Sequence, residues 1–326
     1  MREFVIEKND AGQRMDKFLT KSLKTLPTSL MYKYLRLKRI KLNGKKCEIS
    51  TRLKEGDVVT LYLNDEFFLP TGEDAFLKVS PDIFVVYEDE NILLVNKPAG
   101  LVVHEDDSQT IDTLINRIKK YLYDKNEYDY ENEHSFAPAL CNRIDKNTSG
   151  IVITAKNAQS LRVLNQKIRD RELKKEYLCI VHGHLPEKSA LKKAYLIKDS
   201  TQNLVKVFSK PQKDAKTILT KYKTLDTISR FSLLNVELLT GRTHQIRAHM
   251  AFLNHPLLGD TKYGTTKLNQ GTPYRYQALC AYKLTFDFKT DAENLNYLNH
   301  KTFRIKDVEF VSWFEREKEN EKSSNI

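Results

Sequence analysis

The spacing of apolar segments is the strongest constraint on what this chain can fold into. Short apolar runs of strand length recur at 83–87, 92–96, a stretch ending near His104, 150–154, 177–181, 194–197, 204–208, 215–222, 231–239 and 278–288. Only 110–121, 158–170 and 244–253 in the same span carry helical periodicity. A parallel α/β sheet needs a crossover between successive strands, and three irregularly placed helices do not supply them. The pattern predicts an α+β domain built on a mixed, largely antiparallel sheet. With neither a Walker P-loop nor a GxGxxG fingerprint, ATP-driven and nicotinamide-dependent chemistry lose their usual sequence signals.

Charge divides the chain. Its 326 residues include 54 Lys or Arg against 43 Asp or Glu, a formal excess of +11 that favours an anionic partner, nucleic acid before membrane. Residues 1–60 hold 15 of the basic side chains against 7 acidic ones, and the stretch from Lys33 to Lys46 has seven basic residues and no acid. Met15, Phe18, Leu19 and Leu23 recur at helical spacing, and Leu30, Met31, Tyr34 and Leu35 do so again after Pro27. Short strands follow, with a turn at Asn43-Gly44. The expected unit, 1–62, displays Lys33, Arg36, Lys38, Arg39, Lys45 and Lys46 toward a phosphate backbone, or simply toward water. Residues 63–80 read as a linker rather than another packed helix, 81–314 as the main domain and 315–326 as a flexible tail; the acidic stretch 121–134 reads as a surface excursion. Cys47, Cys141, Cys179 and Cys280 are scattered with no CxxC spacing, the N-terminus is charged from its second residue, and no apolar run reaches membrane length. These features point to a soluble cytoplasmic protein with no metal and no cofactor, and a monomer as the default.

Three polar clusters interrupt the apolar surroundings, at 141–157, 173–183 and 238–250. In the first, Arg143 and Asp145 flank Ile144, so that an apolar anchor alternates with two polar side chains facing a pocket. A buried Arg–Asp pair bracing a loop reads equally well. In the second, Tyr177 is expected at the mouth of a strand, able to pack on a base and to take part in proton transfer, or to serve as a core tyrosine. Cys179 reads as core. In the third, Arg242, His244, Arg247 and His249 surround a strand-to-helix transition where Gly241 permits the turn and Thr243 is the candidate cap. Arg247, three residues beyond His244, reaches toward Asp145 in one reading and solvent in the other. His182 and His184 lack a third metal ligand, and Ser149 lacks a nucleophile elbow.

The motif set resembles the RluA family of RNA pseudouridine synthases. Arg143-Ile144-Asp145 with Thr148-Ser149-Gly150 is the central match, supported by 96–100, 175–177 and 241–247, while 13–62 looks like an S4 RNA-binding module. The family often has His where this chain has Asn142. The resemblance implies a pseudouridine synthase sheet preceded by an S4-like domain, and isomerisation of uridine in structured RNA, large-subunit ribosomal RNA above transfer RNA. It further implies Asp145 as the catalytic carboxylate, Arg247 as its partner and Tyr177 stacked on uracil. The same resemblance implies that Arg143 stabilises the flipped conformation, by contacting a phosphate or by occupying the space left by the nucleotide, and that Arg242 and His244 contact substrate. The competing reading is an RNA- or ribosome-binding protein whose catalytic domain has become structural.

Overall fold

In the computed structural model, residues 1–68, 73–105, 110–131, 133–199 and 204–324 are described. The N-terminal unit pairs strands β1 (Arg2–Val5), β2 (Ile40–Leu42), β3 (Lys45–Lys46) and β4 (Val58–Leu61) in the antiparallel order β1-β4-β2-β3. Helices α1 (Met15–Ser22) and α2 (Thr28–Arg36) complete it. Met15, Phe18, Leu19, Leu23, Met31 and Leu35 are buried in one core with Ile40, Val59 and Leu61, as helical periodicity predicts.

The larger unit follows with β5 (Val85–Glu88), β6 (Ile92–Lys97), α3 (Leu114–Asp124), β7 (Ala139–Leu140), β8 (Ser149–Ala155), α4 (Ala158–Arg169) and β9 (Leu173–His182). It continues with β10 (Ser189–Asp199), β11 (Leu204–Phe208), β12 (Lys216–Ile228), β13 (Phe231–Leu238), α5 (Gln245–Phe252), β14 (Leu279–Phe286), β15 (Thr302–Arg304) and α6 (Glu309–Ser324). The sheet runs β11-β10-β12-β13-β9-β14-β8-β6-β5, with β15 on β14 and β7 on β8. Among the described residues every pairing in this sheet is antiparallel except β8 with β14. The α+β expectation therefore holds.

Period-two alternation assigns the cores. Ile92 and Leu94 of β6 join Ile151 and Ile153 of β8 under α4, whereas Leu93, Val95 and Val152 face α3. Tyr177, Cys179 and Val181 of β9 meet α5, while Leu178 and Ile180 meet Phe310 and Phe314 of α6.

Four expectations change. The described stretch ending at His104 is irregular rather than a strand. Part of 63–80 lies outside the described residues, and what flanks that part is packed: Phe67 is buried in the N-terminal core and Phe76 in the core under α3. The 121–134 stretch is no free excursion, because Phe76 draws in Tyr128 and Tyr130 at ring separations of 5.8 and 5.4 Å. Beyond Phe314, α6 continues to Ser324, held by Lys318 on Asp226 and by the Ser229 backbone N–H donating to Glu321. A regular helix with two tertiary anchors is what the polar sequence after 314 conceals.

Candidate active site

Asp145 sits on a turn that the chain pins from several sides. Asn142 Oδ1 accepts the Ile153 N–H at 2.8 Å, tying the turn to β8 in the manner of a strand neighbour. Ile144 packs between the cores under α3 and α5, which is the anchoring role its alternation predicts. Beneath the turn the fully buried Lys97 donates from Nζ to the carbonyls of Pro98, Leu101 and Lys146, each at 2.8 Å. Burial pulls this amine down to about 7, opposed by the charge of Asp145. Three carbonyl acceptors match the three N–H donors that only the protonated amine carries.

Arg247 arrives from α5. His244 precedes that helix in the left-handed conformation, φ 53°, and no side-chain cap is made, so Thr243 is not the cap. Gln245 does the bracing instead, accepting from the Arg242 backbone N–H and the Thr240 hydroxyl and donating to the Leu219 carbonyl. Arg247 then divides its guanidinium. Nη1 donates to Asp145 Oδ2 at 2.9 Å, while Nε and Nη2 hold both oxygens of Asp260 at 2.7 and 3.1 Å. Burial works against the charged arginine, but Asp260 and then Asp145 outweigh it and push its pKa up. Asp260 is fixed in turn by the backbone N–H groups of Lys262 and Tyr263. His244 Nε2 stands 3.8 Å from Asp145 Oδ2, and its Nδ1 is 2.7 Å from the Tyr263 hydroxyl.

Tyr177 lies in the interior of β9, which begins four residues before it at Leu173, rather than at a strand mouth. It nevertheless lines the cleft, where burial foremost and the charge of Asp145 push its pKa up and keep the phenol protonated. The cleft encloses about 1630 Å³ and brings together Asp145, Tyr177, Arg247, Arg143, Arg242 and His244. Arg143 and Arg242 are exposed within it. Lys33, Arg36, Lys38 and Arg39 do not join this lining and stand exposed on the N-terminal unit, Arg39 over the Tyr34 ring at 5.5 Å. Ser149 donates weakly to the Leu279 carbonyl, His182 bonds Asn269 and His184 the Ile228 carbonyl. Sequence reasoning missed Asp260 and Tyr263, which lie in the unremarked run from His255 to Gly264, and gave Lys97 no role.

A family model for RNA pseudouridylate synthase matches residues 91–252, the span carrying Asp145, Tyr177 and Arg247. An uncharacterized RNA pseudouridine synthase of Mycoplasma genitalium is 35% identical over 318 residues, covering 96% of this chain and 97% of its own. The ribosomal large subunit pseudouridine synthase D of Borreliella burgdorferi is 32% identical over 265 residues, covering 81% and 78%. In fold, the chain is similar to human RNA pseudouridylate synthase domain containing 4, with a TM-score of 0.54 at 19% identity over 70% of this chain and 89% of that one. At 35% identity over nearly the full length of the Mycoplasma genitalium relative, the chain belongs to the RNA pseudouridine synthases and isomerises uridine to pseudouridine in RNA.

Proposed function

We propose that the chain is an RluA-type synthase that acts on structured RNA, with large-subunit ribosomal RNA as its substrate class. The observation that carries the catalytic assignment is the 2.9 Å pair of Asp145 with Arg247 inside a cleft edged by Arg143, Arg242 and Lys262. The names of relatives such as the Borreliella burgdorferi enzyme support the ribosomal reading. Residues 1–62 serve as the S4-like RNA-binding unit, with Lys33, Arg36, Lys38 and Arg39 on phosphates, and 81–314 as the catalytic unit. One cytoplasmic chain engages RNA through both units as a monomer. No helix among the described residues is long and apolar enough to cross a membrane.

In the reaction the C1′–N1 bond of uridine breaks, uracil turns, and a C1′–C5 bond forms; C5 gives up a proton and N1 gains one. Arg247 orients Asp145 through the 2.9 Å hydrogen bond to Oδ2, and the carboxylate either attacks C1′ or takes a ribose proton toward a glycal. Both routes begin from the same charged group. Tyr177 stacks on the uracil, and because its phenol is held protonated it acts as a donor until a partner takes that proton. Arg143 occupies the space left by the flipped nucleotide, and Arg242 and His244 contact the substrate.

Purified protein incubated with total RNA from cells lacking it should install pseudouridine at discrete positions in large-subunit RNA. Asp145→Ala should abolish this while RNA binding persists. Sites confined to transfer RNA would remove the ribosomal reading, and full activity of the Asp145 variant would remove the catalytic one.

A further inference from the structure

The ring of His244 is hydrogen-bonded at one end and faces a carboxylate at the other. Its Nδ1 lies 2.7 Å from the Tyr263 hydroxyl, and that oxygen also accepts the Val205 N–H at 3.1 Å. With one lone pair of the hydroxyl used by Val205, its single proton has an acceptor in Nδ1. At the far end Nε2 faces Asp145 Oδ2 at 3.8 Å, where a lone pair would meet a carboxylate and an N–H would meet an acceptor. Both ends select the same tautomer, with hydrogen on Nε2. The side chain of His244 is 9% exposed, so water does little to scramble it. Charged groups around the ring are Asp145, Arg247, Lys262 and Asp260; burial is the largest influence and lowers its pKa, in keeping with a neutral ring.

We propose that Tyr263 is a positioning residue that fixes His244 as a neutral Nε2–H donor, making His244 the second clamp, beside Arg247, on oxygen Oδ2 of Asp145. At 3.8 Å the clamp is open, since a hydrogen bond needs a shorter approach, and it closes as substrate settles the carboxylate. Arg247 and His244 then address the same oxygen and leave Oδ1 for the ribose. Val205 on β11 and Tyr263 thereby reach the reacting carboxylate through one imidazole. The inference deepens the catalytic reading of Asp145 and rests on it.

The full-length protein labelled with ¹⁵N-histidine shows the tautomer directly, the His244 resonances being assigned by their loss in His244→Gln. Wild type should show Nε2 protonated and Nδ1 bare at neutral pH, and Tyr263→Phe should lose that single form. In single-turnover assays Tyr263→Phe should slow pseudouridine formation about tenfold, the worth of one hydrogen bond, at unchanged RNA affinity. His244→Gln, whose amide nitrogen sits near the Nε2 position, should retain more rate than His244→Ala. Nδ1 protonated in wild type, or equal rates for Tyr263→Phe and wild type, would overturn the proposal. Should Asp145→Ala remain fully active, the reading of Asp145 fails while the tautomer measurement stands on its own.

Discussion

The two carboxylates that share Arg247 differ in exposure, with Asp260 at 1% and Asp145 at 26% of the side chain. Asp260 spends both oxygens on the arginine, so it sets the plane of the guanidinium and leaves Nη1 aimed at Asp145. Removing one member of a buried ion pair costs about 3–5 kcal/mol because the other charge is left without its partner. Part of that cost should fall on the transition state. Asp260→Asn is expected to lower the single-turnover rate by about a hundredfold, equivalent to roughly 2.7 kcal/mol, with RNA affinity nearly unchanged. A parallel fall in affinity, followed by filter binding, would show that Asp260 supports the cleft as a whole instead. Lys97 makes a complementary case, since its Nζ is joined to the carbonyl of Lys146, the residue after Asp145. Lys97→Met keeps the volume but leaves three carbonyls without donors, each worth about 1–3 kcal/mol when buried. Thermal unfolding should show a drop of several degrees, and an unchanged melting temperature would mean that water replaces the amine.

Elements bring these residues together through a tight crossing. Gly150 of β8 runs parallel to Ala281 of β14 with φ +124°, and a Cβ built on it would lie 2.4 Å from the Ala281 nitrogen. No side chain tolerates that contact, and neither strand can retreat without disturbing the turn at Asp145 or the buried β9–β14 pairing. Gly150→Ala should therefore destabilise by about 3 kcal/mol or more, read as a shift in the denaturant midpoint. A midpoint within experimental error of wild type would mean the crossing is looser than drawn. The sequence patterning foretold the strands, since Ile92 to Val95 and Tyr177 to Val181 alternate between cores as period two requires. It also placed Asp145, Tyr177 and Arg247 as candidates, because each stands in a compact polar cluster. Asp260 escaped notice because its meaning lies in a partner 13 residues away across a turn, and Lys97 because one of its acceptors is 49 residues distant. Local sequence carries no trace of such pairings.

At the scale of the molecule, charge asymmetry made the N-terminal unit visible, yet nothing in the sequence said how it meets the rest. The contact joins residues more than 120 positions apart. Phe4 stacks on His134 at 4.4 Å, Gln13 donates to the Ser135 hydroxyl, Ser135 donates to Asp10, and Asn9 donates to Glu133 at 2.8 Å. Two oxygens at this seam, Asp10 Oδ2 and Glu133 Oε2, are buried without a hydrogen-bond partner among the described residues. Burial is the main cause that raises the Glu133 pKa above 4.5; Asn9 pulls it down, and Asp10, Asp129 and Glu7 add to the rise. A carboxyl whose folded pKa is raised stabilises the fold fully below its unfolded value and loses that contribution as pH climbs through the folded one. Near neutrality Glu133 is therefore a charge the seam tolerates at a cost. Glu133→Gln keeps an oxygen to accept from Asn9 and turns the orphaned position into a donor that faces the negative field of Asp10. The variant should melt higher than wild type at pH 7.5, with the difference shrinking as pH falls and wild-type Glu133 takes up its proton earlier than an unperturbed carboxyl would. Melting curves of both proteins across that range decide it, and a constant difference at every pH would place the effect in packing rather than ionisation.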